Sequence, residues 1–570
     1  MNNLTEEQRA AATTLAKRVL VTACPGSGKT QTFAARIRHM IDDQKVLPST
    51  IAAITFTRLG ATEIRERVGQ AARGAFIGTL HSFCLRMLRE MGGELGYEPE
   101  WLTIMDDVDA ELDMKEVLCD MGFIRKKPKG GFDWLKVGST TWDDFVMGVT
   151  SGKLIERRPE HVQLWLAWDA FRARCRAQNQ LTFGLILYEA MALLDKPEAL
   201  AYFQNRHRHI MIDEFQDTDC LQWSIVLRLA QRAEPDTLWA CGDEDQSIYA
   251  FRGAEPHQMV AFAAEPTTEI HHLTRTFRFG PKIATAASNL ISHNKDRIDK
   301  GPMVPNAIES TLAIRTINHI DAVSNILRGL VEKGYAPNEI AVLCRQHRML
   351  DELRSAHDKQ KPPLVKIGHM GFMKNQAEYR AVMGYLRLAC NPYDRRAFMS
   401  IAATEHISPG DMLALREKAV TSGIPLPAAY GRTLPATLPD IQDHVSVVDP
   451  HADYRPPITY LSALAYTESL KTTRDIIDAV AMSSVQDEMR LVKQDSVVAC
   501  TIHAAKGLQW RAVVIIGMDQ SILPSGKNQT PEAIEEERRL AFVAITRAKE
   551  SAILCTRSDY EPSIFLEELS

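Results

Sequence analysis

The chain has 570 residues, 45% hydrophobic, 24% charged and 7% aromatic, which is too long for one ordinary core and excludes a disordered or fibrous protein. Sixty-seven basic residues against 72 acidic ones leave a net charge of −5, which excludes a uniformly basic nucleic-acid coat but not a local basic groove. No stretch reaches the roughly 18 apolar residues of a membrane span, and the N-terminus has no basic region leading into an apolar one, so a cytoplasmic chain with no membrane partner is expected.

In chain order, short β-branched runs at 19–22, 51–56, 210–212 and 237–241 alternate with longer segments of helical period. That alternation predicts parallel strands joined by crossover helices. It recurs at 340–344, 497–502, 512–517 and 552–555, so two α/β cores are expected. Between the early strands, residues 85–180 carry Trp101, Trp134, Trp142, Trp165 and Trp168 at helical spacing and read as a helical insertion. A second interruption, 404–493, contains proline-rich stretches at 423–439 and 451–457, where prolines argue against regular elements. The ten cysteines form no CxxC pair, which disfavours a disulfide framework, a zinc ribbon or an iron–sulfur cluster and leaves them as small buried hydrophobes.

The run 19–22 passes straight into Ala23, Cys24, Pro25, Gly26, Ser27, Gly28, Lys29 and Thr30, and then into helix-forming 33–37. This is strand, phosphate loop, helix, with Ala23 where the general signature begins on glycine. Gly26 and Gly28 let backbone N–H groups approach phosphates, Lys29 would reach the β- and γ-phosphates of ATP, and Thr30 would meet Mg²⁺. Such a site also needs a carboxylate at a neighbouring strand end. After the apolar run 209–212, Asp213 would hold the metal, and Glu214 would orient or deprotonate the attacking water. An isolated Asp-Glu pair is ordinarily solvated surface; the preceding apolar strand and the phosphate loop favour the catalytic reading.

Beyond this point the residues become specific. Residues 213–218 (Asp-Glu-Phe-Gln-Asp-Thr) and 242–254 (Gly-Asp-Glu-Asp-Gln-Ser-Ile-Tyr-Ala-Phe-Arg-Gly-Ala) closely resemble the UvrD/Rep/PcrA-type superfamily 1A DNA helicases. Further blocks of that family follow in order at 4–8, 54–57, 78–83, 275–278, 341–345, 501–510, 536–549 and 562–569. The resemblance implies two RecA-like P-loop NTPase cores with helical insertions: 1–84 with 181–274, insertion 85–180, then 275–403 with 494–570, and a reduced insertion 404–493. It also implies an ATP- and Mg²⁺-dependent motor on single-stranded DNA and single-/double-stranded junctions, moving 3′ to 5′ and unwinding duplex, with a protein loading partner.

By that resemblance Gln8 would read the adenine edge with its amide, Phe277 would stack on the base, and Gln509 would replace the usual glutamate at the ribose. Thr22 and Ala23 to Thr30 would complete the nucleotide site. Arg278 and Arg547 would act as arginine fingers, and Gln246 would couple the γ-phosphate to the DNA. Phe56, Tyr249 and Phe251 would stack on bases, with His81, Arg252 and His503 on phosphates or relaying movement. Basic residues at 125–131 and Arg172, Arg174 and Arg176 also invite a DNA reading against that of a solvated surface.

Two other functions compete. The short second insertion suits a non-unwinding ATP-driven translocase or DNA sensor within a defence or recombination complex. A small-molecule phosphotransferase could use the same phosphate loop but leaves Gln246, the paired arginines and the aromatic residues unexplained. With no carboxylate cluster after 546–549, no nuclease activity is expected.

Overall fold

The computed structural model of the chain describes all residues except 1–2, 127–131, 135–141, 155, 159–160, 232–236, 359, 368–375, 468–469, 483–494 and 527–528. The chain divides into two compact units. One comprises 1–80, 202–369 and 484–570, and the other 81–201 and 370–483.

The first unit holds two six-stranded sheets with parallel pairings throughout, the two RecA-like cores. The first is built from β1 (Arg18–Ala23), β2 (Ile51–Thr55), β3 (Phe76–Thr79), β4 (His209–Ile212), β5 (Thr237–Gly242) and β6 (Thr268–Leu273), in the order β6-β1-β5-β4-β2-β3. The second contains β7 (Thr311–Ile317), β8 (Ile340–Cys344), β9 (Leu364–Lys366), β10 (Val497–Thr501), β11 (Trp510–Ile516) and β12 (Ala548–Arg557), in the order β7-β12-β11-β8-β10-β9. The central strands are buried end to end, since helices cover both faces of a parallel sheet. That is why they stand out in the sequence as unbroken apolar runs. β3, β6, β7 and β9 lack such runs and were not expected: β6 reads Thr-Glu-Ile-His-His-Leu and lies at a sheet edge, half exposed.

The second unit is helical. Its first segment carries the helices Asp107–Asp120, Trp142–Thr150 and Val162–Ala177, with Trp142, Trp165 and Trp168 on helices, whereas Trp101 lies in a 3-10 turn and Trp134 on a short strand. Its second segment corrects the expectation about prolines. Leu438–Val448 and Arg455–Thr467 are helices, with Pro439, Pro456 and Pro457 in their first turns, where a missing N–H costs no intrahelical bond. The helices Ala377–Cys390 and Arg395–Ile401, read from sequence as part of the second core, pack into one apolar cluster with Ile441, Leu461 and Ile477. By its contacts the helical segment therefore begins near 370 and not at 404.

A ladder of buried ion pairs joins the two segments of this unit. Asp109 accepts from Arg380 and Arg387, Asp113 takes Arg396 at 2.5 Å, and Glu116 takes Arg396 at 2.6 Å. Asp109 and Asp113 are fully buried, and the spacing 109, 113, 116 puts all three carboxylates on one helix face. Arg387 is held as well by Asp394 in a bidentate pair at 2.7 and 2.9 Å. Truncating one partner of such a pair strands a desolvated charge. Asp109→Ala should therefore cost toward the low end of about 3–5 kcal/mol, Asp394 remaining on Arg387. Urea unfolding followed by tryptophan fluorescence measures this; a loss under about 1 kcal/mol would show that the ladder contributes little.

Candidate nucleotide and nucleic-acid site

β1 ends at Ala23, and Cys24, Pro25 and Ser27 continue it as a buried loop before the helix Lys29–Asp42. Gly26 and Gly28 sit at φ +79° and +80°, the left-handed region that admits glycine freely. A Cβ at Gly26 would lie 2.5 Å from Arg278 Cβ, and one at Gly28 2.6 Å from Gln8 Nε2. The loop is thus a close-fitting cradle opening onto a helix N-terminus, where unpaired N–H groups and the helix dipole favour an anion. Ser27 Oγ and Arg278 Nε are buried in it without a hydrogen-bond partner. Of the neighbouring side chains, the Thr22 hydroxyl is 2.7 Å from His272 Nδ1 and Cys24 Sγ bonds the Thr274 carbonyl, so both are already engaged.

Burial opposes the charged form of Lys29, but the fields of Glu214, Asp243 and Asp213 outweigh it and hold its ammonium above the ordinary value. Asp213 and Glu214 follow β4 directly. Glu214 adopts φ +55°, uncommon outside glycine, which turns its side chain away from the direction of Asp213. Burial and the adjacent Glu214 push Asp213 up. Glu214 is also opposed by burial, yet Lys29, Lys506 and a 2.6 Å hydrogen bond from Gln216 Nε2 bring it below the ordinary carboxylate value. The two carboxylates are therefore electrostatically inequivalent.

The second core contributes the cations. Arg547 is buried, and its guanidinium donates to the carbonyls of Val543 and Leu508 and, at 2.9 Å, to Gln246 Oε1. Arg278 donates to the Thr546 carbonyl at 2.9 Å. All these acceptors are neutral. Burial pushes Arg278 down to about 10, and burial together with Arg278 pushes Arg547 well down. Two desolvated guanidiniums beside a glycine cradle with orphaned donors form a donor set that fits a polyphosphate.

Each amide end of Gln8 makes one bond within the chain, Oε1 accepting from Thr5 N at 3.0 Å and Nε2 donating to the Ser27 carbonyl at 2.8 Å, which pins the first helix to the loop and leaves each end a further bonding position. Phe277 is 46% exposed, its N–H bonded to the Gly26 carbonyl, and Gln509 is exposed. The Thr30 side chain is half-buried at the helix start.

The candidate DNA residues of the first unit cluster. Phe56 stacks on Tyr249 with centroids 5.2 Å apart and planes at 21°. Tyr249 is buried, its hydroxyl bonded to the His503 carbonyl and its ring 5.0 Å from the Lys506 ammonium. Phe251 is 53% exposed, 5.2 Å edge-on from the His503 ring and 5.7 Å from the Arg252 guanidinium. Of the three aromatics it is the one with an open face; Tyr249 is covered by its neighbours. Burial and the nearby Arg345, Arg252 and Lys506 push His503 down to about 3, leaving a neutral imidazole. His81 belongs to the helical unit, where it stacks on Phe183 at 3.7 Å and burial lowers it to about 3.

The basic stretches fare differently. Arg172 and Arg176 both bond the buried Glu189, and Arg174 bonds Glu116 and Asp120, so this face is spent on internal ion pairs. Of 125–131, only 125 and 126 lie within the described residues, on a short strand.

The structure adds residues that no role was assigned to. Lys506 is buried, 2.6 Å from Asp217 Oδ1 and bonded to the Gln246 carbonyl. Gln216 bridges Glu214 and the Asp243 N–H, which donates to its Oε1 at 2.8 Å. Both sit inside blocks already quoted, Lys506 between Ala505 and Gly507 and Gln216 between Phe215 and Asp217. Lys300, whose ammonium is 2.5 Å from Asp243, lies outside every block and gave no signal in the sequence.

Two family models cover nearly the whole chain: the UvrD/REP helicase N-terminal domain at 4–267, and the UvrD-like helicase C-terminal domain at 271–416 and 458–558. Residues 417–457, between the two matched parts of the second, lie in the helical unit. Among curated proteins the chain is similar to the ATP-dependent DNA helicase PcrA of Staphylococcus epidermidis, 26% identical over 642 residues, with 100% of this chain and 86% of the relative covered. The ATP-dependent DNA helicase PcrA of Staphylococcus aureus is likewise 26% identical, over 639 residues, with the same coverage. The ordered blocks, the two parallel cores and these matches lead to one conclusion: the chain belongs to the UvrD/Rep helicase family.

Proposed function

We propose that this protein is an ATP-dependent DNA helicase that couples ATP hydrolysis to 3′-to-5′ movement along single-stranded DNA and to duplex unwinding. It is read as two cores, each interrupted by a helical insertion, acting at single-/double-stranded junctions. The observation that carries the reading is the position of Gln246. Its amide bonds Asp243 at one end and Arg547 of the second core at the other, and three and five residues later the same segment supplies Tyr249 and Phe251. A change at the nucleotide therefore has a short covalent route to the aromatic cluster.

In this reading Lys29, Ser27 and the backbone N–H groups of the loop grip the polyphosphate, and Arg278 and Arg547 neutralise the charge that grows on the transferring phosphoryl group. Glu214, held ionised by Lys29 and Lys506, orients the attacking water and takes its proton. Thr30 and Asp213 would hold Mg²⁺, which supplies charge neutralisation at the phosphates. When the phosphate cleaved from ATP leaves the site, the two arginines lose its counter-charge and the cores lose their attraction, which makes turnover a mechanical cycle. Polarity rests on the family resemblance, as does a loading partner.

Lys29→Ala should abolish ATP turnover, and the wild type should be stimulated several-fold by oligo(dT). Strand displacement on 3′-tailed against 5′-tailed duplexes then tests both unwinding and direction. Strong turnover without displacement on either substrate would favour the translocase or sensor reading instead. Arg547→Ala should lower kcat by roughly 10³–10⁵ with a far smaller change in KM, as expected for a charge used chiefly in the transition state; steady-state kinetics with a phosphate-release assay reads this.

The depressed His503 sets a pH expectation. A base whose folded value is about 3 stays neutral from pH 8 to pH 6 and charges only near pH 4 and below. The ratio of oligo(dT) dissociation constants for His503→Asn and wild type should thus be the same at pH 8 and pH 6, by fluorescence anisotropy. A ratio that grows on acidification would mean that a charged imidazole holds the DNA.

A further inference from the structure

Residues 293–305 connect the first helix of the second core, Pro281–Ser292, to the chain leading to β7, and carry two cations back to the first core. Arg297 pairs with Asp245 through two bonds of 2.7 and 2.8 Å. Lys300 goes deeper: its ammonium is 2.5 Å from Asp243 Oδ1, 3.0 Å from Glu244 Oε2 and 3.1 Å from Asp245 Oδ2, with its side chain 9% exposed. The other oxygen of Asp243 accepts from Gln246 Nε2, and Gln246 Oε1 accepts from Arg547 at 2.9 Å.

We propose that Lys300 is a positioning residue for hydrolysis: it anchors Asp243, Asp243 fixes the amide of Gln246, and Gln246 in turn holds Arg547 at the nucleotide. The inference rests on the function proposed above and extends it to a residue outside all of the family blocks. A free amide can present either end to a neighbour. Here a carboxylate accepts at one end and a guanidinium donates at the other, so only one orientation satisfies both. The carboxylate depends on its cation. Asp243, Glu244 and Asp245 are three consecutive buried acids, and the cations bonded to them among the described residues are Lys300 and Arg297, of which Lys300 alone bonds Asp243. Without that ammonium Asp243 loses its one hydrogen-bonded cation, the fields of Lys29, Arg278 and Arg547 act on it without fixing its position, and the amide loses its fixed partner.

The competing explanation is that Lys300 merely tethers its loop. Arg297 separates the two, since it tethers the same loop to the same acidic run without a bond to Asp243. Lys300→Met, Arg297→Met and Lys300→Arg are compared in the full-length chain by affinity for fluorescent ADP and a fluorescent non-hydrolysable ATP analogue, by ssDNA-stimulated kcat and by melting temperature. Lys300→Met is expected to lose at least fivefold of its preference for the triphosphate and at least tenfold in stimulated kcat. Arg297→Met should change both less than twofold even if it melts as early, and Lys300→Arg should recover the preference to within about threefold of wild type. If the methionine variant does not fold, Lys300→Gln carries the same comparison. Unchanged triphosphate preference in Lys300→Met, or an equal loss in Arg297→Met, would overturn the positioning role. A wild type that ssDNA does not stimulate would overturn the helicase reading itself, which is a separate result.

Discussion

Two desolvated guanidiniums, whose hydrogen-bond acceptors among the described residues are all neutral, organise the functional half of this molecule. Arg278 and Arg547 bond backbone carbonyls, a hydroxyl and one amide oxygen, all neutral, whereas Lys506 and Lys300 near them are each paired with a carboxylate. A charge withdrawn from water and left uncompensated is costly, and burial lowers both guanidiniums accordingly. The fold tolerates it because the glycine cradle and the orphaned Ser27 hydroxyl face the same space. An anion bound there satisfies the loop of one core and the arginines of the other together. On the function proposed above, closure of the cores and occupancy of the site would be one electrostatic event, which is what a nucleotide-driven motor requires.

The route outward from that event is equally local. Lys506 bonds Asp217, three residues after Glu214, and the Gln246 carbonyl, and sits over the Tyr249 ring. Tyr249 in turn stacks on Phe56 and bonds the His503 carbonyl. Aromatic side chains have only two torsions each, so Lys506, Tyr249 and Phe56 form a chain of direct contacts with few flexible intermediates. The exposed face of Phe251 is where a shift in this cluster would be felt by a stacked base.

What the sequence made legible follows from which physical signals are local. Strands buried on both faces leave apolar runs, so β1, β2, β4, β5, β8 and β10 to β12 are visible, whereas the mixed composition of edge strand β6 hides it. The phosphate loop is visible because its glycines, lysine and threonine are contiguous. The proline-rich segment misled because proline density was weighed without position: at a helix start the missing N–H is harmless, and Pro439, Pro456 and Pro457 all stand there. The boundary at 404 misled because the helices Ala377–Cys390 and Arg395–Ile401 follow the second core in sequence but find their apolar partners among Ile441, Leu461 and Ile477. Gln8 was recognised by its motif, yet its hydrogen bonds to Thr5 and Ser27 depend on how the first helix docks, which no pattern encodes.

Charge was the property least readable in one dimension. The cationic run most visible on a helix, Arg172, Arg174 and Arg176, is consumed by Glu189, Glu116 and Asp120 within its own unit. The cations at the phosphate site, Lys29, Arg278, Lys300, Lys506 and Arg547, are scattered singly across more than five hundred residues and owe their strength to burial rather than to number. At a low-dielectric site one such cation acts on its neighbours far more strongly than several clustered on a wet helix face, where water and salt screen them. A net charge of −5 therefore says little about whether this chain handles polyanions. What matters is that two parallel sheets deliver five isolated positive residues to one place, with Lys300 and Lys506 bonded to carboxylates, Lys29 in the fields of Glu214, Asp243 and Asp213, and Arg278 and Arg547 bonded to neutral acceptors.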